Sequence, residues 1–184
     1  ITLHLGYDLI RTVMQQLIEW REAASIWRRL VHYFGHPAPG NQLLKVPPSY
    51  NEIASMSLTT LQRLGISRKR GAVIRELGRI GHRVDTWCTE PIDGLRERLL
   101  NIRGVGPWTV DHCLGFSLGA SDVVPLGDYT LPHTVCWALA AEERGDDERM
   151  LALLRPWAGQ RWSVLRLIFA SNLRAPRRGP RISG

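Results

Sequence analysis

The chain has little of several things that would each point elsewhere. No run approaches the roughly 18 consecutive apolar residues of a membrane-crossing helix, and no charged-then-apolar leader opens it. Cysteine occurs three times (Cys88, Cys113, Cys136), widely spaced and never as CxxC. That excludes a disulfide scaffold, a four-cysteine zinc site and a four-cysteine iron–sulfur cluster, and makes reduced thiols the default. Lysine is rarer still, with Lys45 and Lys69 the only two among 24 basic residues. The opening segment, ITLHLGYDLI, has no initiating Met, so the chain is expected to be a piece of a longer protein that lacks its N-terminal region.

What is present is a basic chain of ordinary hydrophobicity. The 184 residues are 44% hydrophobic and 22% charged, a composition typical of globular domains. The 24 basic residues stand against 17 acidic ones, giving a net charge of +7 and a pI near 10.0. With Lys so scarce, nearly all of that positive charge is Arg, whose planar fork of donors suits phosphate. Nucleic acid therefore leads the list of partners, with an Arg-biased composition as the bland alternative.

Along the chain, residues 8–34 are helix-rich, with Leu9, Val13 and Leu17, then Ala24, Trp27, Leu30, Val31 and Phe34 at helical spacing. GHPAPGNQLLKVPPS reads as a loop with no structure of its own. Ser49 with Glu52, and Ser57 before an apolar run, indicate two short capped helices. LQRLGISRKRGAVIRELGRIG reads as helix, turn at Gly65, then a helix capped by Ser67. Further helices are expected near 93–100, 130–141, 147–154 and 161–171. Few segments alternate with the period of a strand, so the class is all-α. The core is expected over 1–173, followed by a basic, mobile tail over 174–184. The positive charge is expected to spread over Arg68, Lys69 and Arg70 and over Arg177, Arg178 and Arg181, each equally readable as a solvated surface charge.

One string carries more information than the rest. LLNIRGVGPWTVDHCL places Gly104 and Gly106 between two helical patterns, allowing a tight turn and a close backbone approach by a partner. Pro107 suits the first turn of the next helix, its N–H groups suit an anion, and Arg103 adds charge beside them. A GxG alone is common in structural helix turns; the longer string is specific.

LLNIRGVGPWTVDHCL resembles the helix–hairpin–helix of the DNA glycosylase superfamily named for its hairpin and the Gly/Pro-rich loop and Asp that follow. Here DVVPLGDYTL ends that signature in Asp128 at the family's interval. The resemblance extends to RTVMQQLIEWREAASIWRRL and LQRLGISRKRGAVIREL, covers most of the chain, and is strongest to the alkylbase branch of 3-methyladenine DNA glycosylase II type. It implies an all-α fold of two helical lobes with the active site between them. It also implies a monomeric, bacterial-type cytoplasmic protein, associated with the nucleoid and acting on double-stranded DNA with a damaged base.

The resemblance also implies roles. Breaking an N-glycosidic bond builds positive charge on the sugar, which one carboxylate can stabilise while orienting or deprotonating water. By position that carboxylate is Asp128, with helix capping as its structural alternative; Asp122 reads as a turn residue. Bifunctional relatives carry a Schiff-base Lys two residues after the second hairpin glycine. Here Trp108 stands there, which implies a monofunctional hydrolase leaving an abasic site. A flipped base needs a stacking pocket. Trp108, His112 (where the branch can carry Tyr), Tyr129 and Phe169 (where it can carry Trp) fall at those positions, with core packing as the alternative. Leu17, preceded by Gln16, falls at the position of an intercalating wedge and is equally a core residue of a helix. Arg103, Gly104, Val105, Gly106 and Thr109 fall on the DNA-binding hairpin, where relatives hold a monovalent cation on backbone oxygens, here those of Leu100, Ile102 and Val105. No other cofactor is implied.

Three other functions fit less of the sequence. They are a mismatch or oxidised-base glycosylase on the same fold, a non-catalytic DNA-binding module, and a helical protein–protein adaptor.

Overall fold

The computed structural model describes residues 4–176. Arg177, Arg178 and Arg181 lie outside the described residues. The chain divides into two compact units, 1–118 and 119–184. Both are helical, and no helix among the described residues is long and apolar enough to cross a membrane.

The first unit runs α1 (Leu5–Gln15), α2 (Trp20–Phe34), β1 (His36–Ala38), β2 (Asn41–Val46), α3 (Tyr50–Ser55), α4 (Leu58–Arg63), α5 (Arg68–Thr86), α6 (Ile92–Leu100) and α7 (Pro107–Cys113), which continues into a π-helical turn, Leu114–Leu118. Helix α1 organises it. Leu5, Leu9, Ile10, Val13 and Met14 are all fully buried at helical spacing, and α1 packs against α2, α5 and α7. Each such side chain contributes about 1.5–3 kcal/mol relative to exposure, so this one stripe is enough to gather the surrounding helices. Helices α3 and α5 meet backbone to backbone at Gly78, where a Cβ would stand 2.6 Å from the Ala54 nitrogen. Serines start three helices as their spacing indicates. Ser49 and Glu52 form a reciprocal capping box on α3, Ser57 accepts from the Thr60 N–H on α4, and Ser67 accepts from the Arg70 N–H on α5.

The structure corrects the sequence reading in one place here. The stretch read as an unstructured loop contains an antiparallel hairpin pairing His36 with Val46 and Pro37 with Lys45, with an irregularity at Pro37/Ala38. Every residue of β2 is exposed, Leu43 to 94%. With neither face buried, no alternation of apolar and polar residues is required, so the usual strand signal is missing. Pro39 and Gly40 (φ +78°) make the turn, and Lys45 Nζ donates to the His32 carbonyl to tie the hairpin to α2. The helix-rich segment 8–34 is a pair of helices with a short break between them: α1 ends at Gln15 and α2 starts at Trp20.

The second unit holds α8 (Leu131–Ala140), α9 (Asp147–Leu154) and α10 (Arg161–Ala170). Val124, Leu131, Val135, Met150, Leu154, Trp162, Leu165 and Ile168 form its core. Asp122 is more than a turn residue. Its carboxylate accepts from Arg161 Nε at 2.7 Å and from Nη2, and from the Gly159 N–H at 2.8 Å. These bonds, Arg161's foremost, hold its pKa at about 2. Cys113 and Cys136 are buried, Cys88 is half-buried, and all three are free thiols.

Candidate functional site

The hairpin between α6 and α7 is built by two glycines with different reasons to be there. Gly104 has φ +86°, and a Cβ on it would collide with Val73 Cγ2 of α5, so the fold itself requires glycine. Gly106 is extended (φ −102°) and has open space where a Cβ would go. Nothing in the protein demands glycine there, whereas a closely approaching partner would. The Val105 N–H donates to the Ile102 carbonyl at 3.0 Å to close the turn, and Pro107 opens α7. Asp111 of α7, 4% exposed, accepts from Arg96 Nε at 2.7 Å and Nη2 at 3.2 Å. That bidentate pair clamps α6 to α7 and fixes the hairpin between them. Arg103 is exposed and Val105 buried.

Beside the hairpin stands the break between α1 and α2. Gln16 Nε2 donates to the Thr109 hydroxyl at 2.9 Å and to the Gly104 carbonyl at 3.1 Å. Leu17 is 100% exposed with φ +61°, and Trp20 at the start of α2 is 60% exposed. The alternative of Leu17 as a core residue of a helix is therefore overturned. A left-handed backbone costs a non-glycine residue about 1–2 kcal/mol, and this one gains no burial in return. Helical spacing alone left that alternative open, because Leu17 continues the stripe of Leu9 and Val13.

On α7 the rings form a ladder. Trp108 and His112 stack with centroids 5.0 Å apart and planes at 28°, and His112 meets Phe116 at 4.7 Å. Phe116 escaped sequence reading, although its position one turn beyond His112 was a usable signal; it lies in the π-helical turn, a feature frequent at functional sites. Thr109 is buried on the opposite side, toward Gln16.

In the second unit, Asp128 Oδ1 accepts from the Thr130 N–H at 2.8 Å, the Thr130 hydroxyl at 3.1 Å and the Leu131 N–H at 2.8 Å. The carboxylate thus caps α8 and is held in one orientation by one of its oxygens. The preceding residue, Gly127 (φ +80°), donates its N–H to Asp147 Oδ2 at 2.8 Å. Asp147, at the start of α9, had no local sequence signal for this contact. Tyr129 is exposed and meets His133 edge-on at 6.3 Å. Phe169 lies on α10, part-exposed, edge-on to Trp162 at 6.1 Å.

Structure thus joins Gln16, Gly104 and Thr109 in one group and Trp108 with His112 in another, within the first unit. The basic cluster at the start of α5 is divided. Arg68 and Lys69 are exposed, but Arg70 is buried and turned inward, which corrects its expected place among the surface charges. No group of three or more His, Cys, Asp or Glu residues among those described could hold a metal ion.

Solved structures share this fold. The 3-methyladenine DNA glycosylase of Archaeoglobus fulgidus matches with a TM-score of 0.80 at 20% identity, over 92% of this chain and 58% of that one. The Schizosaccharomyces pombe glycosylase Mag1, solved with abasic DNA, matches with a TM-score of 0.78 at 21% identity, over 95% and 84%. Among curated sequences, YfjP of Bacillus subtilis, provisionally named as a DNA-3-methyladenine glycosylase, is 25% identical over 157 residues, 81% of this chain and 52% of its own. The S. pombe DNA-3-methyladenine glycosylase 1 is 29% identical over 132 residues, 67% and 53%. The chain therefore spans about half the length of the curated relatives it matches. Residues 10–159, which hold the Gln16 turn, the hairpin and Asp128, match the superfamily described as base excision DNA repair proteins with helix–hairpin–helix and Gly/Pro-rich loop and Asp, and the chain belongs to that HhH-GPD superfamily.

Proposed function

We propose that this chain is the core of a monofunctional DNA glycosylase that flips a damaged base, alkylated in the first instance, out of duplex DNA and releases it by hydrolysis. The observation that carries this is Asp128, fixed at the head of α8 by the Thr130 and Leu131 hydrogen bonds and lying with the hairpin inside the family match. The curated relatives are named for 3-methyladenine, and Mag1 was solved with abasic DNA; both support the substrate class.

Each group has a role in the reaction. The hairpin backbone at Gly106, half-buried but with open space beside its Cα, takes a phosphate together with the exposed Arg103. Leu17 fills the gap left by the extruded base, whose unstacking it offsets. Trp108 and His112, and in the second unit Tyr129 and Phe169, supply stacking faces, and Trp108 attracts a cationic alkylpurine through its ring. The glycosidic bond breaks with its electron pair going to the base. The Asp128 carboxylate stabilises the resulting sugar cation, and a water adds its oxygen to C1′ while its proton passes to that carboxylate. Trp108 occupies the Schiff-base position, so no lysine attack competes. The tight Ile102–Val105 turn is also compatible with a monovalent cation on the Leu100, Ile102 and Val105 carbonyls, which would help to hold the phosphate.

The test is a panel of duplexes carrying methylated, deaminated, etheno or oxidised bases, assayed for free base and then for alkali-labile sites. Release of alkylated base, alkali-dependent breaks and no borohydride-trapped covalent complex are expected. Release of oxidised base alone would move the substrate class. DNA binding with no release from any lesion would leave a DNA-binding module instead.

A further inference from the structure

Arg70 is a buried cation for which the reaction as drawn has no use. It is 9% exposed. Its Nη1 donates to the Met14 carbonyl at 2.7 Å, its Nε to Ser67 Oγ at 3.2 Å and its Nη2 to the Gly65 carbonyl at 3.4 Å. A charge removed from water and bonded to neutral oxygens is a costly arrangement, so its location calls for a reason.

The Met14 carbonyl supplies one. In a continuing α-helix the Ile18 N–H would bond to it, four residues back. Here the Ile18 N–H bonds to the Gln15 carbonyl instead, at 3.3 Å, and Arg70 occupies Met14. Helix α1 ends at Gln15, with a cation at one of its last carbonyls, the favourable charge for a helix C-terminus. The chain then turns through Leu17 at φ +61° with the side chain wholly exposed. Immediately before that turn, Gln16 is bonded to Thr109 and Gly104. A strained backbone persists only where its surroundings over-determine it, and these two contacts fix the residues that lead into it.

We propose that Arg70 is a positioning residue for the wedge: by capping the Met14 carbonyl it ends α1 at a fixed residue and holds Leu17 raised before DNA is bound. This rests on Leu17 acting as the intercalating side chain in the function proposed above. Lysine, a point charge without the planar fork, cannot serve the three acceptors together.

The experiment compares single-turnover base release from an alkylated purine in a paired duplex with release from the same lesion placed opposite an abasic site, where extrusion costs less. Arg70→Gln should slow the paired substrate about tenfold, as a small displacement of a positioned group can, and leave the unpaired one near wild type. Leu17→Ala should show the same pattern, the double variant should be no slower than either single, and Arg70→Lys should lie between. Amide hydrogen exchange at Gln16 and Ile18 should quicken in Arg70→Gln. Equal slowing on both substrates, additive slowing in the double variant, or unchanged exchange at Gln16 and Ile18 would overturn the proposal. Should the wild type release no base from either substrate, the glycosylase reading fails. The exchange rates and 2-aminopurine fluorescence of the bound duplex then decide for Arg70: faster exchange with less unstacking supports it, and no change in either overturns it.

Discussion

Gln16 and Thr109, separated by 93 positions in the chain, are joined by a 2.9 Å hydrogen bond from the Gln16 amide to the Thr109 hydroxyl, and the same nitrogen reaches the Gly104 carbonyl. The turn carrying Leu17 is therefore anchored to the hairpin proposed to hold phosphate. Gln16→Ala and Thr109→Val should each lower stability by about 0.5–1.5 kcal/mol, the worth of one such bond. A double-mutant cycle from denaturant unfolding should show coupling of similar size. Additivity of the two changes would mean that the bond contributes nothing in solution.

The two hairpin glycines should separate cleanly. Gly104→Ala, at φ +86° and against Val73, should destabilise by more than about 1 kcal/mol. Gly106→Ala, extended and in open space, should leave stability within about 0.5 kcal/mol while weakening affinity for duplex DNA. Thermal melts and fluorescence anisotropy at one fixed salt concentration measure both. Unchanged affinity in Gly106→Ala would remove the phosphate from that position.

Most of the fold was legible because its signals are local. Ser49, Ser57 and Ser67 cap helices as their spacing indicates, and the long hairpin string with Asp128 located the candidate site. What escaped was set by contacts distant in the chain or by missing burial. The hairpin at 36–46 has no buried face to impose a pattern. Arg70, expected on the surface, reaches the Met14 carbonyl 56 positions away, and Asp147 meets Gly127 across a helix.

Asp122 makes stability depend on acid. Its pKa, held at about 2 chiefly by Arg161, lies below the ordinary carboxylate value of about 3.9 in an unfolded chain. A depressed folded pKa contributes stability that is fully present above the unfolded value and lost as pH falls toward the folded one. The stability gap between wild type and Asp122→Asn should therefore be largest near neutrality and close between about pH 4 and pH 2. Urea unfolding across that range measures it, and a gap independent of pH would show that the ion pair contributes nothing.

Asp147 should act on the Asp128 loop without being essential to the fold. Asp147→Ala removes the acceptor of the Gly127 N–H and should slow base release several-fold with little effect on DNA affinity. Asp147→Asn, which keeps an acceptor oxygen, should restore most of the rate. Equal loss in both variants would point to the charge rather than the hydrogen bond.

The most direct measurement is single-turnover release of an alkylated base by wild type and Asp128→Asn at equal, saturating occupancy of the duplex. The asparagine oxygen can still accept from the Thr130 and Leu131 N–H groups, so the α8 cap and the melting temperature should survive. With the charge gone, the rate should fall by about 10²–10³, the scale of a lost electrostatic stabiliser, while affinity for DNA is retained. Wild-type rates in Asp128→Asn would contradict the assignment of Asp128 as the catalytic carboxylate.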